Sequence, residues 1–325
     1  MRKIFLIVLI VISFSVVVNA KEFVDMPDNW STAALVSAVE NGLLTGDGDY
    51  IKPDNPLTRA QLAAIVTRAF GARSEADISS FSDIPENAWY KDEIARAYKM
   101  NVLKGVGDNL MAPEKNVTRQ EAFVVLGRAF CLDESADDTC LEAFSDNSLV
   151  ASWARGTIAS MVSQKYVSGS NGKLNPQANI TRAEFAQLMY NLVSDYVDSE
   201  QDLKSEFFGN VIIRTYVSAI DTVKFSGNVI ISDSIDLPIS FKNVSVEKNI
   251  ILRGSADVTF DGKAEGILAP FSDIKLFVNG LNSIGNIQLT SGSVIIDNSI
   301  PVPSPSPVTP PVNDGEEEDI WTDFH

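Results

Sequence analysis

Four residue types recur three times each in this chain at matched spacings, and their chemistry is that of ligand binding. Arg59, Arg119 and Arg182 each follow a threonine, in Thr58-Arg59-Ala60-Gln61, Thr118-Arg119-Gln120-Glu121 and Thr181-Arg182-Ala183-Glu184. Trp30, Trp89 and Trp153 precede Gly46, Gly105 and Gly169 by 16 residues, and Pro53, Pro113 and Pro176 precede the tetrad threonines by 5. Asp25, Asp83 and Asp146 stand in Phe-x-Asp triplets ahead of each tryptophan. A guanidinium suits a carboxylate or phosphate, each charged hydrogen bond contributing roughly 1.5–3 kcal/mol. An indole face stacks on a sugar ring while its N–H donates. Each arginine sits where a helix is expected to begin, against the partial positive charge there. Its recurrence points to an anion shared between guanidinium and helix amides. The same residues also allow an internal reading. Each arginine would then pair with Asp25, Asp83 or Asp146, each tryptophan would anchor a core, and each aspartate would cap a helix or turn. The glycines serve backbone shape or the close approach of a ligand.

The elements that must position these residues are short helices. Apolar spacing after each tryptophan (Trp89, Ile94, Ala97, Tyr98, Val102; Trp153, Ile158, Met161, Val162, Tyr166) predicts a helix with one buried stripe, stopping near Gly42, Asn101 and Lys165. The Thr-x-x-Gln/Glu tetrads are capping boxes, in which the threonine hydroxyl accepts from the third amide and Gln61, Glu121 or Glu184 reaches back. Each opens a second helix. A helix–loop–helix unit repeated at a period near 60 residues cannot bury its stripes alone, so three units are expected to share one core.

The series Phe-x-Asp, Trp, Gly, x-x-Pro, Thr-Arg-x-Glu resembles the S-layer homology domain over residues 21–193, with repeats at 21–78, 79–140 and 141–193. The resemblance implies a pseudo-threefold, three-lobed helical assembly that attaches noncovalently to bacterial cell-wall polysaccharide, often a pyruvylated one, and needs no cofactor. It implies a secreted protein of the cell wall or S-layer, with the twelve residues above as ligand contacts. Repeat one has Gln61 in place of glutamate, Asn101 and Lys165 stand at the helix end that Gly42 occupies in repeat one, and Asp146 lies further from its tryptophan than Asp25 or Asp83 does. These departures put the equivalence of the three sites in question.

Composition fits an exported protein. Met1-Arg2-Lys3, an apolar run to Val18 and a Val-Asn-Ala ending read as a signal peptide, 1–20. Its removal takes two cations and no acid, moving the formal charge from −17 to about −19. Such a chain repels nucleic acid and anionic membrane, so an acidic ligand needs defined sites. Cys131 and Cys140 bound an insert between repeats two and three and, outside the cytoplasm, read as a local disulfide contributing roughly 2–3 kcal/mol. The one histidine is His325, so no His/Cys metal site is expected.

The second half differs. Residues 194–208 read as a polar linker. Runs that begin at Asn210, Asn228, Asn249 and Asn286 are β-branched and separated by steps of 18, 21 and 37 residues, the last close to two steps. With further strands at Ile239–Val246, Val258–Phe260, Ile274–Val278 and Val294–Ile296, residues 209–300 suggest a β-solenoid with asparagines stacked at its corners, a β-sandwich being the alternative. The whole is an α+β multidomain chain. Residues 301–325 are a proline-rich spacer and an acidic tail whose Trp321 and Phe324 could dock another surface protein. No Gly-x-Ser-x-Gly, His-Glu-x-x-His or P-loop occurs, and two carboxylates alone leave only glycosidase chemistry open. The expectation is a non-catalytic wall protein, with a surface adapter or a wall-anchored glycan hydrolase as alternatives.

Overall fold

The computed structural model describes residues 22–135, 137–254, 257–279 and 284–296. The expected leader, the proline-rich spacer and the acidic tail with Trp321 and Phe324 lie outside the described residues.

Six helices form the first lobe: α1 Thr32–Glu40, α2 Arg59–Ala69, α3 Lys91–Lys99, α4 Arg119–Ala129, α5 Ser152–Ser163 and α6 Arg182–Leu192. The capping boxes at Thr58/Gln61, Thr118/Glu121 and Thr181/Glu184 form as expected. α1, α3 and α5 are followed by Gly42, Asn101 and Lys165 in the left-handed region (φ 69°, 56° and 64°), so even the lysine adopts the turn that ends the helix.

The three units close into a ring through their backbones. Leu57 N–H donates to Ile180 O, Ile180 N–H to Val117 O, and Val117 N–H to Leu57 O. Each proline loop then supplies the carbonyls that satisfy the first amides of a neighbouring helix. Arg59 and Ala60 N–H bond Lys115 and Pro113 O, Arg119 and Gln120 bond Ala178 and Pro176 O, and Arg182 and Ala183 bond Asn55 and Pro53 O. One apolar core runs through all three units, including Leu35, Leu62, Ile94, Leu126, Ile158 and Phe185.

The second lobe is a parallel β-solenoid of about five turns. Its strands are β1 Asp195–Val197, β2 Glu206–Phe207, β3 Val211–Ile213, β4 Ala219–Asp221, β5 Lys224–Phe225, β6 Val229–Ile231, β7 Ile239–Leu252, β8 Val258–Asn279 and β9 Ile284–Ile296. Every ladder between them is parallel, which a sandwich of antiparallel sheets would not give. One rail stacks Val211, Val229, Ile250, Ile267 and Ile287 in register. The asparagines stack as expected: Asn228 N–H donates to Asn210 Oδ1 (2.9 Å) and Asn249 N–H to Asn228 Oδ1 (3.1 Å). The ladder changes at Gly266, where an added Cβ would lie 2.5 Å from Asn249 Oδ1.

Residues 194–208 are not a free linker. β1 pairs with β3, and Ser194 N–H donates to Asn210 O, so the first coil starts where α6 ends.

The C-terminal ends of the helices rest on this solenoid. Arg214 Nη1 donates to Asn41 O and Arg68 O beyond α1 and in α2. Arg253 donates to Ala129 O (2.7 Å) and Met100 O (2.8 Å), Ser232 Oγ to Gly71 O, Asn210 Nδ2 to Leu192 O, and Lys248 to the Gln164 side chain. Cations and donors thus meet the orphan carbonyls and partial negative charge of helix ends. Ile212, Ile230 and Ile251 belong to the helical core, whereas their neighbours Val211, Ile213, Val229, Ile231, Ile250 and Leu252 belong to the solenoid's. That double burial explains the continuous Val-Ile-Ile runs.

Cys131 and Cys140 are free thiols, correcting the expected disulfide. Cys131 follows α4 with φ 50° and its sulfur meets Arg253 Nη1, while Cys140 Sγ lies against Ala159 O and Ser163 Oγ. The two side chains are committed to different neighbours.

Candidate functional site: two grooves between the repeats

The arginines do not sit at open helix mouths. The first amides of α2, α4 and α6 are already bonded to loop carbonyls and the third to the threonine hydroxyl, so no helix N-terminus is left to cradle an anion. Each guanidinium reaches across instead into the loop of another repeat. Arg59 Nε donates to Met111 O (2.7 Å), Arg119 Nε to Leu174 O (2.9 Å) and Arg182 Nε to Ile51 O (2.7 Å). Arg59 and Arg182 also donate through Nη2, to Lys104 O and Thr45 O.

The aspartates hold the other side of the same residues. Asp25 accepts from the amides of Ile51 and Lys52, Asp83 from Met111 and Ala112, and Asp146 from Leu174 and Asn175, at 2.6–2.9 Å. One residue per loop is therefore gripped at its N–H by its own repeat's aspartate and at its C=O by another repeat's arginine. The glycines have a packing reason. A Cβ on Gly46, Gly105 or Gly169 would stand 2.0, 2.8 or 2.7 Å from the ring of Phe23, Phe81 or Phe144. The Phe of Phe-x-Asp, its Asp and the distant Gly are one device that shapes the loop.

Within this frame two grooves open, and each gathers one residue of each kind from three different repeats. The first, about 530 Å³, joins Trp89 of repeat two, Arg182 of repeat three and Gly46 of repeat one, with Gln61 and Arg68 on its α2 wall. The second, about 390 Å³, joins Trp30, Arg119 and Gly169, with Glu184 and Asn191 at the matching positions of α6. Trp30 and Trp89 are 61% and 60% exposed, far more than a core anchor would be. Both stand two residues ahead of their helix, free of the bundle.

The third set, Trp153, Arg59 and Gly105, is less open than the other two. α5 starts before Trp153, which packs half-buried on the core, and Arg59 is 1% exposed. Burial lowers the Arg59 guanidinium to about 10. The insert lies over the start of α5: Ser135 N–H donates to Gly156 O, and Arg155 Nε bonds Asp138 Oδ2 (2.6 Å). Glu121 Oε1 and Arg128 Nη1, the α4 counterparts of the groove walls, are buried with no hydrogen-bond partner among the described residues. The longer step from Asp146 to Trp153 is the sequence trace of this closure. Arg68 and Asn191 were missed by motif spacing; lying seven residues after Gln61 and Glu184, they fall on the same helical face, which is the signal that could have found them.

A groove with an exposed indole, a guanidinium and a close backbone defines a polar-ligand surface on a closed repeat ring. Comparison with known proteins identifies the repeats. The S-layer homology domain matches residues 22–63, 80–123 and 143–186, so the chain carries three S-layer homology repeats, followed by the β-rich lobe. Those repeats mark a secreted, cell-surface protein. The chain is 28% identical over 276 residues, 83% of its length, to the Surface-layer 125 kDa protein of Lysinibacillus sphaericus. It is 30% identical over 177 residues (53% of the chain) to an Amylopullulanase of Thermoanaerobacterium thermosulfurigenes and 30% identical over 173 residues (52%) to the S-layer protein of Bacillus licheniformis. The matches span only 22%, 10% and 19% of those relatives. The first match exceeds the length of the repeat region and so takes in part of the solenoid. The repeats and the S-layer relatives support anchoring at the cell surface. No helix among the described residues is long and apolar enough to cross a membrane.

Proposed function

We propose that this chain anchors itself to cell-wall polysaccharide through the two open grooves, and that the solenoid is a non-catalytic module displayed at the surface. The observation that carries this is the convergence of an exposed tryptophan, an arginine and a loop glycine from three different repeats in each groove. The indoles offer a face to a sugar ring, and Arg182, held from behind by the carbonyls of Ile51 and Thr45, keeps its remaining N–H groups for an acidic substituent such as a pyruvate ketal. Asp25, Asp83 and Asp146 shape the loops and act on the ligand through them. Arg59, Trp153 and Gly105 belong to the same design, but Arg59 is buried and Trp153 half-buried. A structural role for the solenoid is supported by its large apolar core and by the length of the match to the Lysinibacillus surface-layer protein.

The test is retention of the full exported chain on purified wall sacculi. Trp30→Ala with Trp89→Ala leaves the core untouched and is expected to release the protein, as is stripping the polysaccharide from the wall. Undiminished binding by the double variant would defeat the proposal. Release of reducing sugar from those walls by the unaltered chain would overturn the non-catalytic reading.

A further inference from the structure

The two open grooves differ in charge, and the difference comes from one position. In the second groove Arg119 Nη1 lies 2.8 Å from Glu184 Oε1, so its charge is already matched. In the first groove the same helical position carries Gln61, whose Oε1 is turned to cap Thr58 N–H (3.2 Å). Arg182 there has no carboxylate at the corresponding place, and its Nη1 has no hydrogen-bond partner among the described residues. A second cation, Arg68, faces the same cavity where the second groove has Asn191. Lys52 is matched by Asp47, so the first groove carries a formal charge of +2 and the second of 0. Asp25, whose oxygens accept from Ile51 and Lys52 N–H, is near enough to act on Arg182 but does not line the groove, so two guanidiniums in one half-enclosed groove, in a chain of net charge −17, are an arrangement that an anion relieves.

Resting on the proposed wall-binding function, we propose that the grooves divide the polymer between them: the Arg68–Arg182 groove reads an acidic substituent, the Arg119–Glu184 groove an uncharged sugar, and Gln61 against Glu184 sets the difference. A carboxylate entering the second groove would have to displace Glu184 from Arg119 and face it at close range. An uncharged ring meets no such cost, and stacks on Trp30.

The exposed indoles make the grooves separately visible. In the full exported chain, the Trp89 and Trp30 indole N–H resonances are followed while glucuronate, glucose and wall polysaccharide fragments are titrated. Glucuronate is expected to shift Trp89 at about tenfold lower concentration than Trp30, with a stronger salt dependence than glucose shows. Glu184→Gln, which keeps the helix cap as Gln61 does, should bring the Trp30 response to glucuronate up to that of Trp89. Gln61→Glu should lower the Trp89 response about tenfold. Equal responses of the two indoles to glucuronate, or swaps that leave them unchanged, overturn the division while leaving wall binding intact. Silence of both indoles toward the wall fragments overturns the wall-binding function itself, and the division with it.

Discussion

The two lobes solve the same problem, how small units without cores of their own become stable, in opposite ways. The helical lobe is a ring. Each repeat hands a carbonyl to one neighbour and a guanidinium to another, and the last repeat returns to the first through Arg182 and Ile51. The solenoid is a stack in which a coil touches the coil before and the coil after through parallel ladders. A ring has no ends to protect, but any broken link is felt all round. A stack localises damage, but its first coil needs a base, and the helix C-termini supply one. The ring also creates the grooves, because a site built from three repeats exists only when the circle is closed.

The sharpest way to break this contrast is to cut a buried link of the ring. Arg59→Met leaves the carbonyls of Met111 and Lys104 without their donor in a dry interior, and should cost about 3–5 kcal/mol in denaturant unfolding. Arg182→Met removes the equivalent link at a half-exposed site and should cost roughly half of that or less. Equal losses would show that burial does not rank the links. Next in size is the seam between lobes. Arg253→Met orphans Ala129 O and Met100 O, and about 2–4 kcal/mol should be lost. If the lobes behave as one body, the variant still unfolds in a single transition; two separated transitions would mean that the seam is weaker than its buried arginine suggests. Gly46→Ala drives a methyl into the Phe23 ring, 2.0 Å away, and should cost about 1–3 kcal/mol while distorting the first groove.

Much of this was legible in the chain. The tetrads gave the caps of α2, α4 and α6, and the 16-residue spacing marked equivalent loops, because both are local or strictly periodic. The asparagine steps marked the solenoid corners for the same reason. What was not legible depends on pairing across distance. Apart from Glu184 beside Arg119 and the Met111 sulfur beside Arg59, the guanidinium partners are main-chain carbonyls, which leave no side-chain signature, so the arginines looked free for an anion. The linker was misread because a first coil is judged by its neighbour: Asp195–Val197 becomes a strand only against Val211–Ile213. The cysteine pair looked like a disulfide because only eight residues separate them, yet Cys131 is turned toward Arg253, more than a hundred positions away.

The smallest effect separates ring from stack most cleanly. Asn228 passes one hydrogen bond down the ladder by donating its Nδ2 to Asn210 Oδ1 (3.0 Å), and one up by accepting Asn249 N–H (3.1 Å). Asn228→Ala leaves the Asn249 amide without its acceptor in a narrow corner, while Asn210 Oδ1 keeps the Asn228 amide at 2.9 Å. The loss should be about 1–2 kcal/mol. In a stack it stays near the coils on either side, so hydrogen exchange should quicken at Asn249 and Ile250 while the amides of Leu57, Val117 and Ile180 keep their protection. Faster exchange at those three ring amides would mean that the solenoid holds the ring closed, and that the lobes are coupled more tightly than two separate building rules allow.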